Sequence, residues 1–259
     1  MGTSLRELAE EVYANLPPRP GAAWHRSERL VLQHRDSPHP TRGNVFRARL
    51  ADDVEAGIAE ARAWFAEQGR ETFTWHLSSF TTPSGLKERL HADGAAPVEG
   101  FESSTAMALT KPPPAVDGVE VRELTTLDEF EACEDLAASA FGFDEEHAEA
   151  AKRSLREHWG DEYRKAGSVV GAFVDGELVA FGNTALLDEA VYLDGAVTAP
   201  EARGHGLYRA LVHARWELAV ARGTPTLLVQ AGPMSEPILS RLGFRPVGAV
   251  EYLRDTAAA

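Results

Sequence analysis

One stretch constrains this chain more than any other: Val197-Thr198-Ala199-Pro200-Glu201-Ala202-Arg203-Gly204-His205-Gly206-Leu207-Tyr208. Val191–Thr198 reads as a strand, and Leu207, Leu211, Ala214 and Leu218 then recur at i, i+4, i+7 and i+11, the stripe of an amphipathic helix. The two are joined by a turn with glycines at 204 and 206, which let the backbone turn tightly and aim several N–H groups at one point. That point is a helix N-terminus, where unpaired amides and the helix dipole attract an anion such as a diphosphate. Arg203 adds a fixed positive charge beside it.

The rest of the second half fits around this unit. Val119–Leu124 alternates like a strand, Thr126 is placed to cap a helix running to about Ala140, and Asp144-Glu145-Glu146 opens a second helix. Ser168–Val174 and Glu177–Leu186 read as strands joined by Asp175-Gly176, a strong hairpin signal. After the glycine loop and its helix come an apolar strand at Thr224–Gln230, a short helix at Ser235–Leu242 ended by Gly243, and a last strand at Val247–Leu253. The order βααβββαβαβ implies an α/β (α+β) fold, a mixed central sheet flanked by helices.

A chain of 259 residues has ample material for one large domain or two smaller ones. Its formal net charge of -14 argues against nucleic acid or an anionic membrane as partner, since both need a basic face; it suits a cationic substrate such as an amine, and an acidic balance is also common solubility chemistry. Cys133 is the sole cysteine, so no internal disulfide can form and a reducing compartment is expected. It falls on the apolar side of its helix with Phe130, Leu136, Ala137 and Ala140, as core filler does. The stretch from Met1 to Leu16 lacks the pattern of a signal peptide, and no apolar run has the length to span a bilayer; a cytoplasmic protein is expected.

Lys111-Pro112-Pro113-Pro114 marks the clearest internal break, which places one domain at 1–112 and a second at 113–259. Pro17-Pro18-Arg19-Pro20 sets off an amphipathic N-terminal helix from Leu5 to Leu16. The two halves echo each other. Ala61-Arg62-Ala63-Trp64…Gly69, Thr72–Leu77, Leu86–Leu90 and Gly94-Ala95-Ala96-Pro97-Val98 follow the order of Ala214-Arg215-Trp216…Gly223, Thr226–Gln230, Ile238–Leu242 and Gly243-Phe244-Arg245-Pro246-Val247. The first copy carries the acidic run Ala51-Asp52-Asp53-Val54-Glu55 in place of a glycine loop, so it is expected to be a scaffold without a cofactor site.

Residues 119–253 resemble the GNAT N-acetyltransferase superfamily through the strand, Pro200, the Arg203–Tyr208 loop and the closing turn Arg241-Leu242-Gly243-Phe244. The whole chain is similar to tandem members whose first repeat is degenerate, a partial GNAT-like repeat ahead of the GNAT fold. The resemblance implies that acetyl-CoA is the co-substrate. It implies that the backbone of Ala196, Val197 and Thr198 pairs with the pantetheine arm, and that the amides of Arg203, Gly204, His205, Gly206, Leu207 and Tyr208 hold the diphosphate. It also implies that the N–H of Val197, or its neighbour, polarises the thioester carbonyl. Ser235 stands where many members use an asparagine near the cofactor; it is equally an N-cap for the helix that follows.

Two departures bear on catalysis. Tyr208 replaces a small residue, and is expected to point outward or stack on the cofactor. Leu239 replaces the tyrosine that many members use to protonate the departing thiolate, with His205 and Tyr208 as the nearest substitutes in sequence. A thiol has a pKa near ~8.5, so leaving as thiolate costs roughly 1.4–2.7 kcal/mol near neutral pH, whereas an amine of pKa ~10.4 needs roughly 4 kcal/mol of deprotonation. A base therefore matters more than an acid. Glu189, Asp194 and Tyr192, on or beside the Val191–Thr198 strand, are the candidates, with Glu189 and Asp194 taken as catalytic. A bulge in the strand would change the face that Asp194 presents.

The expected activity is transfer of acetyl to the primary amine of a small molecule by direct attack, with no nucleic acid or membrane partner. A homodimer is left open by the sequence, and a non-catalytic acyl-CoA sensor is the competing class. His34-Arg35-Asp36-Ser37-Pro38-His39 lacks ligand spacing for a metal, and no metal is expected. Trp24, Trp64 and Trp75 are read as core.

Overall fold

The computed structural model describes residues 3–18, 21–35, 43–116, 118–160 and 167–257. The elements in chain order are α1 (Leu5–Glu10), α2 (Val12–Asn15), β1 (Ala22–Arg26), β2 (Leu30–Arg35), β3 (Gly43–Ala48), α3 (Val54–Glu67), β4 (Thr72–Leu77), α4 (Leu86–Ala92), β5 (Ala96–Pro97) and β6 (Ser103–Leu109). Then come β7 (Glu120–Glu123), α5 (Leu127–Phe141), α6 (Glu145–His158), β8 (Gly167–Val174), β9 (Glu177–Leu186) and β10 (Val191–Thr198). A 3-10 turn (Pro200–Ala202) leads to α7 (Leu207–Ala221), β11 (Leu227–Ala231), α8 (Glu236–Arg241) and β12 (Arg245–Thr256).

Two compact units result. The first is Met1–Met107 with Gln230–Ile238 and Pro246–Ala259; the second is Ala108–Val229 with Leu239–Arg245. The division falls shortly before the triple proline, and the last strand of the expected second domain belongs to the first unit. Its pairing explains why. β12 runs antiparallel to β4, from Glu251↔Leu77 to Thr256↔Thr72, and Asp255 accepts hydrogen bonds from Arg62 Nη2 at 3.0 Å and Trp75 Nε1 at 3.0 Å. That buried carboxylate is paired with a cation and an indole, which offsets the cost of its desolvation.

Within unit 1 the strands run β1-β2-β3-β4-β12-β6. Leu32, Val45, Phe65, Phe73 and Trp75 form the core under α3 and α4. The single N-terminal helix expected from Leu5 to Leu16 is two short ones, broken at Glu11. There the buried Glu11 carboxylate accepts from Arg47 Nε at 2.8 Å and from Arg49 Nη2 at 2.9 Å, and the backbone bends to present it. Of the second proline stretch, Arg19 and Pro20 lie outside the described residues.

The order α3, β4, α4, β5 follows the order of pieces read from the sequence, and the N-terminus of α3 is capped from within the chain. Asp53 is its N-cap, accepting from Ala56 N at 3.0 Å, so a carboxylate of the chain itself meets the first-turn amides. Between β3 and β4, parallel pairing is confined to Asn44↔Thr74 and Val45↔Trp75. Asn44 Oδ1 lies 3.0 Å from His76 Nε2, and the Tyr13 and His76 rings pack against Phe46 with centroids at 5.1 and 4.8 Å. Burial pushes the His76 pKa down to about 3, so this plug of side chains is neutral. Asp53→Ala is expected to cost about 1 kcal/mol of stability, read as a lower urea midpoint at unchanged slope. An unchanged midpoint would mean that the cap contributes nothing.

In unit 2 the strands run β11-β10-β9-β8-β7, and α5 and α7 cover opposite faces. Val169, Phe181 and Val197 pack with Cys133 of α5, while Val170, Ala172 and Ala180 pack with Leu207 and Leu211 of α7. Local chemistry sets the elements. Thr126 and Glu129 form a reciprocal capping box on α5, Asp144 caps α6, and the β8–β9 hairpin turns through Asp175 and Gly176 at φ of 52° and 84°. Burial pushes the Cys133 thiol up to about 12, so it stays protonated filler.

Candidate acyl-CoA site

The site is built on β10 and α7 of unit 2. On one side β10 pairs antiparallel with β9, with Leu193↔Thr184 and then Ala196↔Gly182. Two residues of β10, Asp194 and Gly195, therefore face one of β9. This is a β-bulge, and Gly195 supplies it with a φ of 86°. On its other side β10 pairs parallel with β11 only at Val191↔Leu227 and Tyr192↔Leu228. Beyond Tyr192 that ladder stops, so the β11 edge of Ala196, Val197 and Thr198 is open to an added extended chain.

Ala196 packs toward α7 and the buried Val197 toward α5. The backbone then turns through Pro200–Ala202 into the loop, with Gly204 at φ 86° and Gly206 at φ 83°. Gly206 is the N-cap of α7 and offers no side chain, so the first-turn amides from Leu207 onward have no intrahelical partner and no capping group. On α3 of unit 1 Asp53 fills this role; on α7 no side chain does.

Arg203 is exposed, and its Nε donates to Thr198 O at 3.4 Å, folding the cation back over the strand end. His205 is exposed, with Nδ1 3.3 Å from Ala202 O. A second cation escaped the sequence reading: Arg209 Nη2 lies 2.9 Å from where a Cβ on Gly206 would stand. Its spacing three residues into the helix from Gly206 was the available signal.

Tyr208 does not point outward. It is half-buried, its hydroxyl is pushed to higher pKa by burial, and it feels the charge of Arg215 two helical turns on.

Arg215 is fully buried on α7, donating from Nε to Leu211 O at 3.0 Å and from Nη1 to Asn183 O at 3.3 Å, while Nη2 has no partner among the described residues. Burial lowers its pKa to about 10, so it remains a cation at neutral pH. Gly182 makes room for it: a Cβ there would lie 2.8 Å from the guanidinium carbon. A glycine inside an otherwise apolar strand was the sequence signal of this close approach.

The two carboxylate candidates part company. Asp194 is half-buried at the bulge on β10, one residue from the open edge. Glu189 is exposed in the turn closed by Leu187 N to Ala190 O, ahead of the strand. Tyr192 is buried. Leu239 is fully buried. Ser235 lies in unit 1, where its hydroxyl donates to Gly232 O at 3.2 Å.

The family comparison agrees with this geometry. Residues 130–244, from within α5 to the turn after α8, match the family model described as Acetyltransferase (GNAT) family. It is residues 130–244 that are similar to a GNAT acetyltransferase domain. The GNAT-fold assignment extends through similar solved structures. A GCN5-related N-acetyltransferase from Kribbella flavida is 19% identical, with 98% of this chain and 96% of that one covered at a TM-score of 0.71. A tandem GNAT protein from the clavulanic acid biosynthesis pathway is 19% identical, covering 96% and 88% at 0.63. A GCN5-related N-acetyltransferase from Sphaerobacter thermophilus is 14% identical, covering 90% and 82% at 0.59. No curated protein matches the chain.

Among the described residues no group of three or more His, Cys, Asp or Glu is arranged for a metal ion. In the His34–His39 stretch, residues 36–39 lie outside the described residues, and His34 Nδ1 accepts from Arg70 Nε at 3.0 Å. No helix among them is long and apolar enough to cross a membrane.

Proposed function

We propose that this chain is an N-acetyltransferase that moves acetyl from acetyl-CoA to the primary amine of a small molecule, with residues 113–259 carrying the transfer and the first half serving as scaffold. The observation that carries the reading is the uncapped N-terminus of α7 behind a strand whose β11 edge opens at Ala196–Thr198. A diphosphate fits the one feature and an amide-bearing arm the other. Acetyl-CoA brings the acyl group as a thioester; the chain's residues hold and align it. The amides from Arg203 to Tyr208 would take the diphosphate, with Arg203 and Arg209 as counter-charges.

The N–H of Val197, or its neighbour, would polarise the acyl carbonyl in the manner of an oxyanion donor. Asp194, at the bulge, would take the proton that the attacking amine must lose, directly or through water. The buried cation of Arg215, over the cross-strand neighbour of Ala196, adds positive potential on the α7 side of the strand. The net charge of -14 favours a cationic acceptor.

One observation supports a second reading, an acyl-CoA-binding sensor: the buried Leu239 supplies no acid for the departing thiolate. Incubating the protein with acetyl-CoA and a panel of primary amines, with release of CoA thiol as readout, tests the two. Amine-dependent thiol release is the expected result. Tight CoA binding with no release above the acetyl-CoA hydrolysis blank, for any amine, would favour the sensor.

A further inference from the structure

Helix α7 has a second lined surface, away from the loop. With β7 and β8 it encloses a groove of ≈ 430 Å³ whose apolar floor includes Val121, Val170, Ala214 and Leu218. This volume is in the range of small-molecule sites, roughly 300–1,000 Å³. Three ionisable groups border the floor: Glu123, His213 and Glu217. Glu123 Oε1 accepts from Ser168 Oγ at 2.6 Å, a neutral partner that orients the carboxylate without cancelling its charge. Glu217 and His213, one turn apart on α7, have no hydrogen bond or ion pair among the described residues. Arg122 also borders the groove, but its guanidinium is turned away, stacked 4.3 Å from the Phe173 ring and bonded to Glu129 of α5. The charge facing the groove is therefore negative, over a hydrocarbon floor.

We propose that this groove binds a small amphipathic ammonium, an organic amine with a body about the size of a phenyl ring. The carboxylates match the ammonium and the valine, alanine and leucine side chains match its body. The site is separate from the transfer strand. In the order β10-β9-β8-β7, the groove strands lie two and three places from β10, roughly 10–14 Å across the sheet. It does not depend on the transfer reaction, and its test needs none.

Titration calorimetry of the full chain with 2-phenylethylamine, at low ionic strength, provides the test. The amine is expected to bind, and the uncharged isostere 2-phenylethanol at least about tenfold more weakly. Glu217→Gln should weaken the amine at least about fivefold, and Ala214→Trp, which fills the floor, should abolish binding. Should Ala214→Trp fail to fold, the exposed Glu217→Gln still decides. Equal binding of the alcohol, amine binding unchanged in both variants, or no binding up to about 10 mM amine would overturn the proposal. So would sedimentation showing a dimer that Ala214→Trp dissociates, because the groove would then be covered by a second copy.

Discussion

Gly206→Asp is expected to lower CoA affinity by at least about 100-fold, while circular dichroism and the thermal transition stay close to those of the parent chain. Gly206 holds φ 83° as the N-cap of α7. Asp and Asn tolerate that left-handed region better than other residues with a Cβ, so the fold should survive. The new carboxylate would meet the diphosphate. At a separation of about 5 Å and an effective dielectric near 20, one charge pair costs about 3 kcal/mol, more than the 2.7 kcal/mol or so that a 100-fold loss represents.

Arg209 sharpens the effect. Its Nη2 lies 2.9 Å from the substituted Cβ position, so the introduced carboxylate would also draw off a cation that otherwise faces the anion. Gly206→Asn is the control, with the same shape and no charge, and should lose less than about tenfold. Calorimetric titration with CoA reads both. Parent-like affinity in the Asp variant would remove the diphosphate from this loop. Equal losses in Asp and Asn would show that space, not charge, governs it.

Much of unit 2 was legible because short-range chemistry sets it. The Asp175-Gly176 turn, the Thr126–Glu129 box, the Asp144 cap and the loop glycines act within a few residues, and all appear where the sequence put them. The sequence left room for a bulge at Asp194, and the strand has one between Leu193 and Ala196.

What the sequence hid depends on distant partners. β12 reads as the closing strand of the second half, yet Asp255 binds Arg62 and Trp75 from the first. β1, β2 and β3 went unread because Ala22–Arg26 and Leu30–Arg35 mix aromatic, basic and apolar residues without alternation. Arg215 escaped for the opposite reason. A charged residue on an amphipathic helix is ordinarily solvated, and only Gly182, 33 residues earlier in sequence, creates the space that buries it.

Asp194→Asn is expected to lower kcat for amine acetylation by about 10²–10⁴-fold, the usual worth of a positioned base. KM for acetyl-CoA should stay within about threefold, because the loop proposed for the diphosphate lies beyond the end of the strand. Glu189→Gln should stay within about twofold in both. Place in the strand separates the two carboxylates. Asp194 sits in the bulge beside the open edge of Ala196–Thr198, whereas Glu189 is exposed in the turn before β10. Val197 lies eight residues beyond Glu189, roughly 25 Å along extended chain, too far for a side chain to reach a carbonyl held at Val197.

The asymmetry of the chemistry makes the base the sensitive part. An amine of pKa ~10.4 must lose a proton at a cost of roughly 4 kcal/mol near neutral pH, while a thiolate leaving without an acid forfeits about two-thirds as much or less. A chain with Leu239 in its core can therefore still turn over, and one without Asp194 should nearly stop. Steady-state rates with an amine that supports transfer, measured for both variants, check this. Asp194→Asn retaining more than half of kcat would remove Asp194 from proton transfer, and a comparable loss on Glu189→Gln would contradict the geometry of the turn.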